Sequence, residues 1–222
     1  MKILSTEIPR PVKISGPVKV LHSKKRVAVL ALAVTATLAV TAVQAGAVKA
    51  DLPLRGTGTV CLTREAVNTL AVQKVTLEAT GAATASGNCV TFPGSGTLAP
   101  DLTGGELPLQ GGLRFSGGGH RLDLTGLVVH IRIGEGRTSA DVSQDGAPAK
   151  NTDLLRYPVS LSRVSFTPTS VNTKDIPLTL TTPGGAAFTQ AFGATPVPTG
   201  TPLFTFAGQA RITNPFAPLP SP

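Results

Sequence analysis

Residues 111–133 read GGLRFSGGGHRLDLTGLVVHIRI, and their spacing decides the fold class. Leu113 and Phe115 alternate with Arg114 and Ser116; three glycines follow, and then Leu122 and Leu124 alternate with Arg121 and Asp123. Alternation of this kind puts one set of side chains on each face of a strand. Gly117, Gly118 and Gly119 between the two runs suit a tight hairpin. Past Gly126 the apolar set moves from even to odd positions, to Leu127, Val129, Ile131 and Ile133. A period of two changes parity only where a residue drops out of the pairing, so a bulge or bend is expected at Gly126.

The same pattern extends outward in both directions. Upstream, Val75, Leu77 and Ala79 alternate with polar residues, as do Val90 and Phe92. Downstream come Ala140 and Val142; Leu155, Tyr157, Val159 and Leu161; Ile176, Leu178 and Leu180; and Phe204, Phe206, Ala210 and Ile212. Glycine and proline punctuate these runs throughout, 22 Gly and 16 Pro after residue 50, which breaks long helices and supplies turns. Such spacing belongs to a sandwich or a barrel. The expected fold is all-β, an antiparallel β-sandwich of about ten strands. One segment departs from it. GAAFTQAF at 185–192 sets Phe188 and Phe192 four residues apart, as on one helix face, and helix is expected there alone. Residues 51–214 are expected to form a single domain with a core of ordinary size, followed by a Pro-rich tail at 215–222.

Charge is unevenly distributed. The first 50 residues hold eight Lys or Arg against the single acid Glu7, whereas the remainder holds twelve against eleven. Affinity for nucleic acid rests on a basic face that releases counterions, and the nearly neutral remainder supplies none. With 41% apolar and 14% charged residues the chain is also too apolar to be disordered. The basic excess lies in the n-region of a secretory signal: Lys24-Lys25-Arg26, the uncharged run VAVLALAVTATLAV at 27–40, and small residues that permit cleavage after Ala47 or Ala50. The expected product is secreted by the general export route, with an uncleaved membrane anchor as the alternative reading of the same stretch. The membrane is then met only during export.

Export makes the two cysteines legible. Cys61 and Cys89 are the only pair, and disulfides persist outside the cytoplasm. No C-x-x-C is present, and His120 and His130 are the only further soft ligands after residue 50, so a structural disulfide is expected rather than a metal or redox site.

Catalytic motifs are absent from the sequence. PGSGT at 93–97 lacks the spacing of a nucleophile elbow, and no two of the acids are singled out as a catalytic pair. The expected protein is not an enzyme. Three side chains remain as candidates for contact with a ligand. His130 shares the polar parity of its strand with Arg132 and reads as a solvated residue. Tyr157 lies on the apolar parity before Pro158, where a core tyrosine with a satisfied hydroxyl is expected, a ligand role being the alternative. His120 follows the glycines at a hairpin tip and is the candidate most free to reach a ligand.

Several of these segments resemble the HtaA-type domain: GGLRFSGGGHRLDLTGLVVHI (111–131), ADV (140–142), IPLTLTTPGGAAFTQAFG (176–193) and GTPLFTFAG (200–208). That family comprises exported or surface-held β-rich domains of actinobacteria associated with haem uptake. The resemblance implies haem held by a tyrosine in the N-terminal part, supported by a histidine soon after the Phe-x-Gly. Residues 51–113 contain no tyrosine; Gly118 falls at the histidine position and His120 two residues later. The scaffold carries over and the ligand pair does not, so haem binding is expected to be weak or absent and no cofactor is assigned. The expected function is that of a secreted, envelope-associated binding or interaction module with an unidentified envelope or extracellular partner. The alternatives are a carrier of haem or another apolar ligand through His120 or Tyr157, and a structural envelope protein without a small ligand.

Overall fold

The computed structural model describes residues 51–99, 103–132 and 134–213. The segment assigned to export, Ile133 and the Pro-rich tail lie outside the described residues. Twelve strands follow one another: β1 (Leu52–Leu62), β2 (Thr76–Thr80), β3 (Thr84–Ser86), β4 (Cys89–Leu98), β5 (Gly104–Pro108), β6 (Gly112–Gly117), β7 (His120–Arg132), β8 (Gly134–Gln144), β9 (Lys150–Val159), β10 (Val164–Thr167), β11 (Ser170–Leu180) and β12 (Pro202–Ile212). Helix α1 (Arg64–Val72) follows β1, and helix α2 (Thr182–Phe192) lies between β11 and β12.

Every strand pairing is antiparallel, as the alternation requires. The sheet runs β7-β5-β4-β1-β12-β11-β9-β8 and returns to β7 through the β7–β8 pairing, so eight strands close a barrel. The all-β antiparallel class read from the sequence is the one observed, but as a closed barrel instead of two facing sheets. Alternation is the same in both, because each strand has one inward face either way. Strand β7 is long enough to take two neighbours along one edge. Its first residues, His120–Leu124, pair with β6, and Val128–Arg132 pair with β5. Strand β2 pairs with β6 outside the ring.

The parity change at Gly126 is a bulge. Pairing with β8 shifts register between Thr125 and Val128, and Gly126 has φ +56°. Leu122, Leu124 and Leu127 are all buried as a result, which an unbroken strand would not allow.

The helices close one end of the barrel. Helix α2 extends the expected 185–192 segment back to Thr182. Thr181 caps it by accepting the Gly184 amide at 3.0 Å, and Gly193 ends it at φ +79°. Phe188 is buried against Phe115 of β6, edge to face, with ring centroids 4.9 Å apart. Gly184 lies so near β9 that an added Cβ would fall 2.3 Å from the Leu154 carbonyl oxygen. Helix α1 corrects the expectation that 185–192 is the only helical segment. Thr63 caps it by accepting the Ala66 amide at 3.3 Å, and Ala66 and Leu70 form its buried face. With one four-residue step on that face, its period is too short to stand out in the sequence. Cys61 and Cys89 are directly opposite on β1 and β4 and form the disulfide.

Candidate functional site

His120 and Tyr157 occupy different ends of the barrel. The β6–β7 turn consists of Gly118 and Gly119, both at positive φ, the geometry of a primed two-residue hairpin turn. It leaves His120 as the first residue of β7, with its side chain 56% exposed. The ring is nevertheless held: Nδ1 lies 3.0 Å from Asp145 Oδ2, just past the end of β8. The other oxygen of Asp145 accepts the Arg121 amide at 2.7 Å. These hydrogen bonds, from His120 first and from the Arg121 backbone second, hold the Asp145 carboxyl below the usual carboxylate range. An ionised carboxylate only accepts, so Nδ1 carries the proton and the lone pair of the neutral ring resides on Nε2. Nε2 has no partner among the described residues. The site adjoins α2, because the Gln144 side-chain amide donates to the Gln190 carbonyl at 3.0 Å.

His130 has both ring nitrogens engaged. Nδ1 is 3.3 Å from Glu106 Oε1, and Nε2 is 3.0 Å from Ser139 Oγ. It is a half-exposed strand residue, as its polar parity suggested, but it is engaged within the sheet instead of being left to solvent. Tyr157 is buried, with its ring lying against Gly136. Its hydroxyl donates to the His130 carbonyl at 3.0 Å. Burial pushes the phenol above its ordinary value, so the phenolate that iron would require is disfavoured. Because Tyr157 is anchored at His130, the β7 backbone separates it from His120 by ten residues, roughly 33 Å of strand. The two ligand candidates are therefore not brought together.

Tyr157 instead lines a cavity of about 320 Å³ inside the barrel, walled almost wholly by apolar side chains. Among the described residues, no three His, Cys, Asp or Glu side chains are grouped to hold a metal ion. The sequence signalled His120 by its place behind the glycines, but it gave no sign of Asp145, which lies 25 residues on and meets His120 only because β7 and β8 pair.

Comparison with known proteins agrees with this architecture. The C-terminal domain of HtaA from Corynebacterium glutamicum superposes with a TM-score of 0.55 at 15% identity, covering 72% of this chain and 99% of that one. The N-terminal domain of the same protein gives 0.53 at 14% identity, covering 72% and 99%. A domain-swapped dimer variant of the C-terminal domain gives 0.52 at 18% identity, covering 66% and 87%. No curated protein matches the sequence. The HtaA (Htaa) family model matches residues 64–195, more than half of the chain and all of both helices, and the chain therefore belongs to the HtaA family.

Proposed function

We propose that this chain is an exported, haem-related binding module of the HtaA family whose contact with the iron is His120, and that it is not an enzyme. The observation that carries this reading is the His120–Asp145 pair. A carboxylate on Nδ1 fixes the tautomer and the ring orientation, and leaves Nε2 as the ligand atom. Haem, when bound, would supply an iron that accepts an imidazole nitrogen. The residues present fit one such contact and not the tyrosine-centred pair expected of the family. Tyr157 is committed to a backbone carbonyl, and His130 is committed at both nitrogens. A single neutral ligand in an exposed setting gives weak binding, in keeping with the tyrosine missing from residues 51–113.

The test is titration with oxidised haem, followed by the Soret band. A saturable band is expected, lost in His120→Ala and weakened 10- to 100-fold in Asp145→Asn, with Tyr157→Phe and His130→Ala unchanged. A band indifferent to His120→Ala, or no saturable band, overturns the assignment and leaves a module that acts through an envelope partner. Export is tested separately by N-terminal sequencing of protein recovered outside the cell, which should begin at Val48 or Asp51. A membrane-retained chain beginning near Met1 would favour the anchor.

A further inference from the structure

Among the described residues the barrel is stoppered by α-helices at one end and not at the other. Helices α1 and α2 bury Ala66, Leu70, Phe188 and Ala191 at the end where β1 and β11 finish. Among the described residues no α-helix covers the opposite end, where β7 and β9 finish; the short 3-10 turn Leu161–Arg163 and strand β10 follow β9 there. There the inward row of Val129, Ile131, Val159, Val171, Phe206 and Ala210 remains only half-buried, although every member lines the same cavity. An apolar side chain that points inward and is still accessible marks a lumen that opens to the outside.

The volume and walls of that lumen narrow its occupant. Protein interiors hold few voids larger than a water molecule, whereas about 320 Å³ equals the share of roughly ten waters and falls at the small end of ligand sites. The walls offer water little. The Tyr157 hydroxyl is turned onto the His130 carbonyl, and Thr173 Oγ1 is turned toward the Gly208 carbonyl. Two glycines keep the space clear. The Phe206 ring lies across Gly58 and Gly208, where an added Cβ would fall 2.7 Å and 2.9 Å from it. The ring can therefore lie against the wall instead of filling the centre.

We propose that the lumen binds an unbranched acyl chain, which enters at the end opposite α1 and α2 and leaves its polar head group at the mouth. This site is separate from the His120–Asp145 pair, so either can fail without the other. The chain is well suited to a direct test, because Tyr157 is its only tyrosine, no tryptophan is present, and Tyr157 lines the lumen. The full chain is titrated with cis-parinaric acid while tyrosine emission is followed. Expected is saturable quenching by energy transfer at one probe per chain, with affinity reduced at least tenfold in Ala210→Phe and in Val171→Phe. Parent and variants share the same N-terminal segment, so their difference reports the lumen alone. Displacement of the probe by free palmitate or by a lysophospholipid tells the two sources of the acyl chain apart. Probe fluorescence without quenching of Tyr157 in the parent protein overturns the proposal whether or not the filled variants fold. Unchanged affinity in both filled variants overturns it as well.

Discussion

Phe188 is the side chain on which closure of the helical end depends. It is 1% exposed and meets Phe115 edge to face, with an interplanar angle of 77°, while the rest of α2 contributes only small buried groups, Gly184 and Ala191. Replacing it by alanine removes the ring from a packed site and leaves a cavity. Substitutions of this kind cost about 3–5 kcal/mol, a range that already contains the roughly 0.5–1.5 kcal/mol of the aromatic pair. Gly184 limits recovery, because α2 already touches the Leu154 carbonyl and has little room to settle inward. The upper half of the range is therefore expected, about 4 kcal/mol, which in a domain of this size lowers Tm by about 8–16 °C. Urea unfolding followed by circular dichroism gives the free energy directly, and an unchanged m-value would show that the unfolding unit is the same. Phe192→Ala is the internal control. Its ring is half-buried and tilted at 6.4 Å from Phe188, so its loss should cost about 1 kcal/mol or less. A Phe188→Ala loss below about 1 kcal/mol, or one equal to that of Phe192→Ala, would refute the view that α2 is held by this ring.

Other outcomes follow from the same geometry. Replacing Cys61 and Cys89 together by alanine should cost about 3–4 kcal/mol in denaturant unfolding, from the closed loop of 28 residues' separation, and intact mass of exported parent protein should show no free thiol. Tyr157 is neutral in the folded chain and its phenol is raised by burial from the ordinary 10.0. Above about pH 10 the unfolded chain releases that proton first, so stability is full below this pH and falls by about 1.4 kcal/mol per unit above it. Since the chain has a single tyrosine, tyrosinate absorbance should rise together with unfolding and not before it. Gly126→Ala forces a side chain into φ +56° and should destabilise by about 1–2 kcal/mol, whereas Gly126→Asn should cost less, because asparagine tolerates that region.

Strand positions were legible because alternation is a local property. Phe92, Leu113, Phe115, Leu122 and Leu124 were assigned inward from spacing alone, and all are buried. The bulge at Gly126 was legible for the same reason, as was the satisfied core hydroxyl of Tyr157. Barrel closure was not. It depends on Leu54 meeting Ile212 across more than 150 residues, and no local pattern encodes a pairing of that reach. Helix α1 escaped because its buried face is only Ala66 and Leu70, while the alternation on either side of it dominates. At the candidate site the sequence exposed His120 and hid what orients it. Asp145 is ordinary in its own neighbourhood, and only the register of β7 on β8 gives it meaning.

The pairing of Leu54 with Ile212, followed by the Thr213 amide donating to the Pro53 carbonyl at 2.9 Å, brings the two ends of the domain side by side. Both leave at the end opposite α1 and α2. A tether attached to either end, whether a bilayer, a wall polymer or a fusion tag, is therefore brought against the mouth of the barrel and turns His120 away from itself. The same constraint governs how the protein should be immobilised. Coupling beside Leu54 or Thr213 presents the hairpin tip and screens the lumen, whereas coupling at an outlying helical position such as Val72, 85% exposed on α1, turns the lumen toward solution. Two orientations on a sensor surface would thus read two different faces of one molecule.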